Sequence, residues 1–157
     1  MKSNIDIIEE GKKVVRIEAK SVADLEKRIG GSFARAVELI LACKGRVIIT
    51  GVGKSGIIAR KIVATMNSTG TPAVFMHTSD AVHGDLGMVR KEDVVMCISK
   101  SGNTDELSSL LPMFKRLCVP VISLLGKMHS MLAQESTVAL DASVEEEACP
   151  HDLAPTS

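Results

Sequence analysis

Residues 93–99 read "DVVMCIS", a continuous run of apolar side chains with no polar alternation. Such a run is buried on both faces, and four more segments share its character: "RVIIT" (46–50), "TPAVFM" (71–76), "VPVISLLG" (119–126) and the weaker "TVALD" (137–141). Between them lie stretches with apolar spacing of three and four: "SGIIARKIVATMNSTG", "DELSSLLPMFKRL" and a short "SMLAQES". Strands without alternation that take turns with helices require a parallel sheet covered on both faces. The reading is therefore α/β, a three-layer α/β/α sandwich. Pro72 stands at a strand entrance, where a missing N–H does least harm, and Pro112 is expected to kink its helix.

Ahead of the first strand, "IIEEGKKVVRIEAKSVADLEKRI" has helical spacing with alternating charges on its polar face. "GGS" stops it, and Ser32 is expected to cap a second helix, "FARAVELILAC". Residues 1–44 thus form N-terminal helices and 45–157 an α/β core, one domain at this length.

Formal net charge is zero, Trp and Tyr are absent and Phe occurs three times. A nucleic-acid binder needs a basic footprint and often stacking rings, so that class is excluded. No apolar run is long enough to cross a bilayer and the N-terminus lacks a signal-peptide core. A cytoplasmic protein with no membrane partner is expected. Cys43, Cys97, Cys118 and Cys149 include no Cys-x-x-Cys pair, and partly buried, reduced thiols are the expectation. His77, His83, His129 and His151 have no spacing that builds a metal site, and no cofactor or metal is expected.

Ligands of open parallel sheets sit beyond the carboxyl ends of the strands. Two loops there carry unusual chemistry. "GVGKSG" (51–56) has glycines that allow tight turns, with Gly53 and Lys54 at the start of a helix whose free N–H groups favour an anion. A cation at that position is disfavoured by the dipole unless an anion binds; the alternative is a Lys54 that simply points to solvent. The G-x-G-x-x-G spacing also raises a dinucleotide site, but the ribose-binding acid is missing, since Asp80 falls three residues past the strand end at His77. A P-loop is excluded because Ile48 occupies its first glycine position.

The second loop is "SKSGNTDE" (99–106). Ser99, Ser101 and Thr104 supply hydroxyls, Asn103 an amide, and Gly102 lets the backbone fold into an N–H concavity suited to phosphate. The alternative is that Thr104 or Asn103 caps a helix whose positive end favours Asp105 and Glu106. Capping accounts for one hydroxyl, not three. Neutral donors with Lys54 nearby suit the phosphate monoester of a small molecule.

"VIITGVGKSGIIARKIVATMNSTGTPAVFMHTSDAVHGDLGMV", "SKSGNTDEL" and "EEACPHDLAPTS", in that order, resemble the sugar isomerase (SIS) domain of bacterial D-arabinose 5-phosphate isomerases over about residues 5–157. The resemblance implies a five-stranded parallel sheet, usually in a homotetramer with active sites at subunit contacts. It implies interconversion of D-ribulose 5-phosphate and D-arabinose 5-phosphate, which feeds synthesis of Kdo for lipopolysaccharide and capsules. It assigns phosphate binding to Ser55, Ser99, Ser101 and Thr104, and polar roles in catalysis to Lys54, His83, Glu106 and Glu147. Glu147 otherwise reads as part of a solvated acidic run, and His83 as a satisfied loop histidine. A helix N-terminus would keep Glu106 acidic, so it suits orienting a hydroxyl or Lys54 better than acting as sole base.

By the same resemblance a further helix follows "APTS", bearing an active-site histidine, and paired CBS domains often follow that. The sequence ends before both, and Pro155, Thr156 and Ser157 read as the approach to that helix. Three rivals remain beside arabinose 5-phosphate isomerase: an isomerase of another phosphosugar, a non-catalytic phosphosugar-binding regulator, and, least favoured, a nucleotide-dependent oxidoreductase.

Overall fold

The computed structural model describes residues 6–149 and 151. Its elements are α1 (Ile7–Leu25), α2 (Gly31–Ala42), β1 (Val47–Gly51), α3 (Lys54–Ser68), β2 (Ala73–Phe75), α4 (Thr78–Val82), β3 (Val94–Ser99), α5 (Asp105–Ser108), α6 (Leu111–Arg116), β4 (Val121–Leu125), α7 (Met131–Glu135) and β5 (Val138–Asp141). Short 3-10 helices cover Glu26–Arg28 and Asp85–Met88.

All five strands are parallel, in the order β2-β1-β3-β4-β5. Every residue of β1 and β3 is buried, as their unbroken apolar runs require. On one face Ile49, Met96 and Ile122 pack with Ala36 of α2 and Ala59 of α3. On the other, Ile48, Val95 and Cys97 pack with Ala81 of α4, Leu107 of α5, Phe114 of α6 and Leu132 of α7. Full burial of each Ile, Val, Leu, Met or Phe side chain among them contributes about 1.5–3 kcal/mol. The three-layer α/β/α sandwich expected from the sequence is what forms.

Several local expectations change. Ser32 does not cap α2: the helix begins at Gly31 with Gly30 as N-cap, so Ser32 lies in its first turn. Pro112 does not kink one long helix but begins another. Its missing N–H falls in the first turn of α6, after α5 has ended at Ser108. α4 and the following 3-10 helix occupy a stretch to which the sequence pattern assigned no helix. Among the thiols, Cys97 is buried, Cys43 and Cys149 are half-buried, and Cys118 is exposed. Cys118 has a φ of 55°, the left-handed turn that leads out of α6.

α1 buries no residue. Polar contacts tie it and the 3-10 turn after it to the rest: Lys20 of α1 pairs with Glu145, and Arg28 of the turn donates to the Ser143 carbonyl. No helix among the described residues is long and apolar enough to cross a membrane. The expected helix approach at Pro155, Thr156 and Ser157 lies outside the described residues.

Candidate functional site

The strand order reverses direction between β1 and β3, and at such a switch point the loops leaving the two strands diverge and leave a crevice. "GVGKSG" and "SKSGNTDE" are those two loops. A Cβ on Gly56 would lie 2.7 Å from the Gly51 carbonyl oxygen, so glycine there lets α3 close onto β1. Gly53, with φ of 58°, is the N-cap of α3. Lys54 and Ser55 are thereby fixed as the first residues of a helix that points its N-terminus into the crevice.

The loop after β3 is cross-braced. The Gly102 N–H donates to Ser99 Oγ at 3.0 Å, and the Ser99 and Thr104 hydroxyls lie 2.9 Å apart. The Asn103 N–H donates to Ser101 Oγ at 3.3 Å. Asn103 Oδ1 accepts from the Met131 N–H at 2.8 Å, and the Gly102 carbonyl accepts from Leu132 N–H at 3.1 Å, which seats the loop on α7. Thr104 is the N-cap of α5 by position but makes no side-chain cap bond. Capping therefore does not account for its hydroxyl.

A cleft of about 970 Å³ opens beyond the strand ends. Lys54, Ser55, Ser99 and Glu147 all line it, joined by Lys100 after β3 and Lys13 on α1. Glu147 departs from the solvated acidic run: its side chain is 6% exposed and pairs with Lys100, whereas Glu145 is 73% exposed and pairs with Lys20. The segment carrying Glu147 leaves β5 through Asp141. Burial pushes that carboxyl up, but hydrogen bonds from Ser143 and the charge of Arg28 outweigh it and hold Asp141 below its ordinary value.

Other expected residues stand elsewhere. His83 is the exposed C-cap of α4, and Glu106 is exposed on α5; neither lines the cleft. Gly53, Ser101, Gly102, Asn103 and Thr104 belong to the two bordering loops without lining its wall. His77 caps α4 by accepting from the Ser79 N–H at 3.2 Å. Among the described residues no group of three or more His, Cys, Asp or Glu could hold a metal ion. Lys100 is not among the residues the sequence singles out, although it sits between Ser99 and Ser101; only the return of the chain after β5 reveals what it faces. Lys13, on a helix remote in sequence, leaves no signal of its own.

A family model described as the SIS domain matches residues 40–157. The chain is 50% identical to the arabinose 5-phosphate isomerase KdsD of Pseudomonas aeruginosa over all 157 residues, which cover 48% of that protein. It is 46% identical to KdsD of Escherichia coli K12, again over its full length and 48% of the relative. The chain thus spans about half the length of the curated relatives it matches. Among solved structures, E. coli CFT073 c3406 in complex with arabinose 5-phosphate superposes with a TM-score of 0.86 at 43% identity, covering 98% of this chain and 81% of that one. The Vibrio vulnificus NanR protein complexed with ManNAc-6P has a TM-score of 0.75 at 27% identity, covering 93% and 54%.

Proposed function

The chain belongs to the SIS domain family, and from that premise we propose that it is an aldose–ketose isomerase interconverting D-ribulose 5-phosphate and D-arabinose 5-phosphate. The observation that carries the proposal is the buried Glu147 carboxylate, which faces the same cleft as Lys54, Ser55 and Ser99. Its similarity to the KdsD relatives and to the arabinose 5-phosphate complex narrows the phosphosugar.

In this reading the phosphate rests on the hydroxyls of Ser55, Ser99, Ser101 and Thr104 and on the start of α3, with Gly53, Gly102 and Asn103 shaping the backbone around it. Isomerisation moves a proton between C1 and C2 through an enediol. Glu147 removes the C1 proton of the ketose, and the carbonyl oxygen at C2 gains one as the enediol forms. Return of a proton to C2, with loss of the O1 proton, completes the aldose. Lys54 steadies the oxyanion on C2. Glu106 and His83 stand outside the cleft wall. The resemblance gives both a part in catalysis; the helix N-terminus suits Glu106 to orienting a hydroxyl or Lys54, and His83 is the candidate for acid–base or ring-opening work.

The reading includes one domain over 1–157, a cytoplasmic homotetramer and a reaction that feeds Kdo synthesis. Exposed Ile8, Val15 and Val22 on α1, with Phe33 and Leu41 on α2, support association with further copies. The exposed positions of His83 and Glu106 favour a second reading, phosphosugar binding without turnover.

Proton NMR of the chain with D-ribulose 5-phosphate in deuterium oxide tests both. Appearance of arabinose 5-phosphate with solvent deuterium at C2 is the expected result. Line-broadening of the sugar phosphate without turnover would replace it with the binding reading.

A further inference from the structure

Lys100 lies between two serines of the proposed phosphate loop, and its ammonium is in ion-pair contact with Glu147 on the segment that follows β5. The lysine is seated rather than draped. A Cβ on Gly126, just past β4, would lie 2.8 Å from the Lys100 carbonyl oxygen and 3.1 Å from its Cγ, so glycine there makes room for the stem. The two partners differ in exposure: Lys100 is 47% exposed and Glu147 only 6%. A carboxylate so far removed from water depends on nearby cations for its charge, and Lys100 is in direct ion-pair contact with it. Lys54 from α3, Lys127 from the end of β4, Lys13 from α1 and the neighbouring Glu145 and Glu146 also line the cleft.

Resting on the reading of Glu147 as the proton-transferring carboxylate, we propose that Lys100 is its positioning residue. The ammonium holds that carboxylate in place at the cleft wall, and ties the acidic segment to the proposed phosphate loop. A phosphate seated on Ser99 and Ser101 then lies beside the same cation that orients the base, so correct docking of one end of the substrate and alignment of the base are coupled. This role is distinct from direct phosphate binding, which would act on substrate affinity and not on the proton transfer.

Steady-state kinetics of the full chain with D-ribulose 5-phosphate test it with Lys100→Gln, Lys100→Arg, Glu147→Gln and the Lys100→Gln/Glu147→Gln double variant. Misplacing a reacting group costs about 10- to 100-fold, so Lys100→Gln is expected to lower kcat by that factor with KM nearly unchanged. Lys100→Arg, which keeps the cation, recovers most of the loss. In the Glu147→Gln background, Lys100→Gln costs little more, because the two groups act as one unit. A raised KM at unchanged kcat, or a full additive loss in the double variant, overturns the proposal. A crippled Glu147→Gln beside a wild-type Lys100→Gln and Lys100→Arg sinks the proposal and leaves the base assignment standing. Wild-type turnover in Glu147→Gln, or none in the parent chain, removes the base assignment and the proposal with it.

Discussion

Ser99 and Thr104 face each other hydroxyl to hydroxyl at 2.9 Å, joining the end of β3 to the start of α5. The same Ser99 oxygen accepts the Gly102 N–H, and the residue is 3% exposed. Ser99→Ala leaves a buried N–H without its acceptor and a hydroxyl without its neighbour. A loss of about 1–3 kcal/mol in unfolding free energy is expected, read by denaturant titration. Should the variant match wild-type stability, the loop's shape does not depend on this hydroxyl.

Gly102 has a φ of 67°, and a Cβ there would run into the Ser130 side chain. Gly102→Ala therefore combines backbone strain with a clash against the N-cap of α7. The combined cost is expected to exceed the about 1–3 kcal/mol of backbone strain alone. A weaker hold on phosphosugar should accompany it, because α7 and the loop share the Met131–Asn103 bond. Thermal melts with and without ribulose 5-phosphate measure both effects.

The assigned chemistry separates Glu147 from Lys54. Glu147→Gln removes a general base, and a fall of about 10²–10⁴ in kcat is expected. Lys54→Ala removes oxyanion stabilisation, with an expected fall of about 10²–10³. Lys54 is exposed, so its variant should melt with the parent protein. Wild-type rates in both, measured by coupled assay, would discard these roles.

The strands were legible because each is an apolar run too short and too β-branched for a helix, and burial of both sheet faces leaves such runs few alternatives. The two loops were legible because hydroxyls and glycines gathered where parallel sheets bind ligands. What was not legible depended on packing. Ser32 has the chemistry of a cap, but the helix already begins at Gly31 with Gly30 as its N-cap. Pro112 looks like a kink only if α5 is assumed to continue. Composition and spacing leave Glu145, Glu146 and Glu147 equivalent and only the resemblance singles out Glu147; its physical distinction is the turn after β5, which turns it inward to Lys100 and Glu145 outward to Lys20. His83 carries motif chemistry without a lining position, a distinction that spacing does not encode.

Cys97 and Cys118 should differ sharply in reactivity. Burial pushes the Cys97 thiol from 9.0 up to about 12, while Cys118 is exposed at a turn. The thiolate is the reactive form, so at pH about 8 a disulfide reagent should label Cys118 in the folded protein and Cys97 only after denaturation. The raised value also has a pH consequence. The folded state binds the Cys97 proton more tightly than the unfolded state, so its contribution is intact below about pH 9 and declines as pH rises toward 12. Cys97→Val should flatten that alkaline decline, and with no Tyr in the chain, phenol titration does not obscure it. Equal labelling of both thiols in the folded state would contradict the burial of Cys97.

Arg28 closes the 3-10 turn after α1, donates to the Ser143 carbonyl and stands 3.8 Å from Asp141. It is the part-buried link between a helix that buries nothing and the segment that delivers Glu147 to the cleft. Arg28→Ala is expected to cost about 1 kcal/mol of stability, the value of a charged hydrogen bond discounted for its partial exposure. Activity should fall by more than that cost implies, because the segment between Asp141 and Glu147 loses its anchor. The pH dependence follows in sign. Asp141 is held below its ordinary value of 3.8 in the folded protein, so it contributes stability above that pH which is lost on acidification. The Ser143 hydrogen bonds supply most of the lowering and remain in Arg28→Ala, so losing the Arg28 charge moves the carboxyl up only slightly and acid unfolding should begin at slightly higher pH. Circular dichroism against pH, paired with turnover at neutral pH, checks the two together. Coincident acid curves with unchanged turnover would mean that α1 is held by other contacts and leaves Glu147 undisturbed.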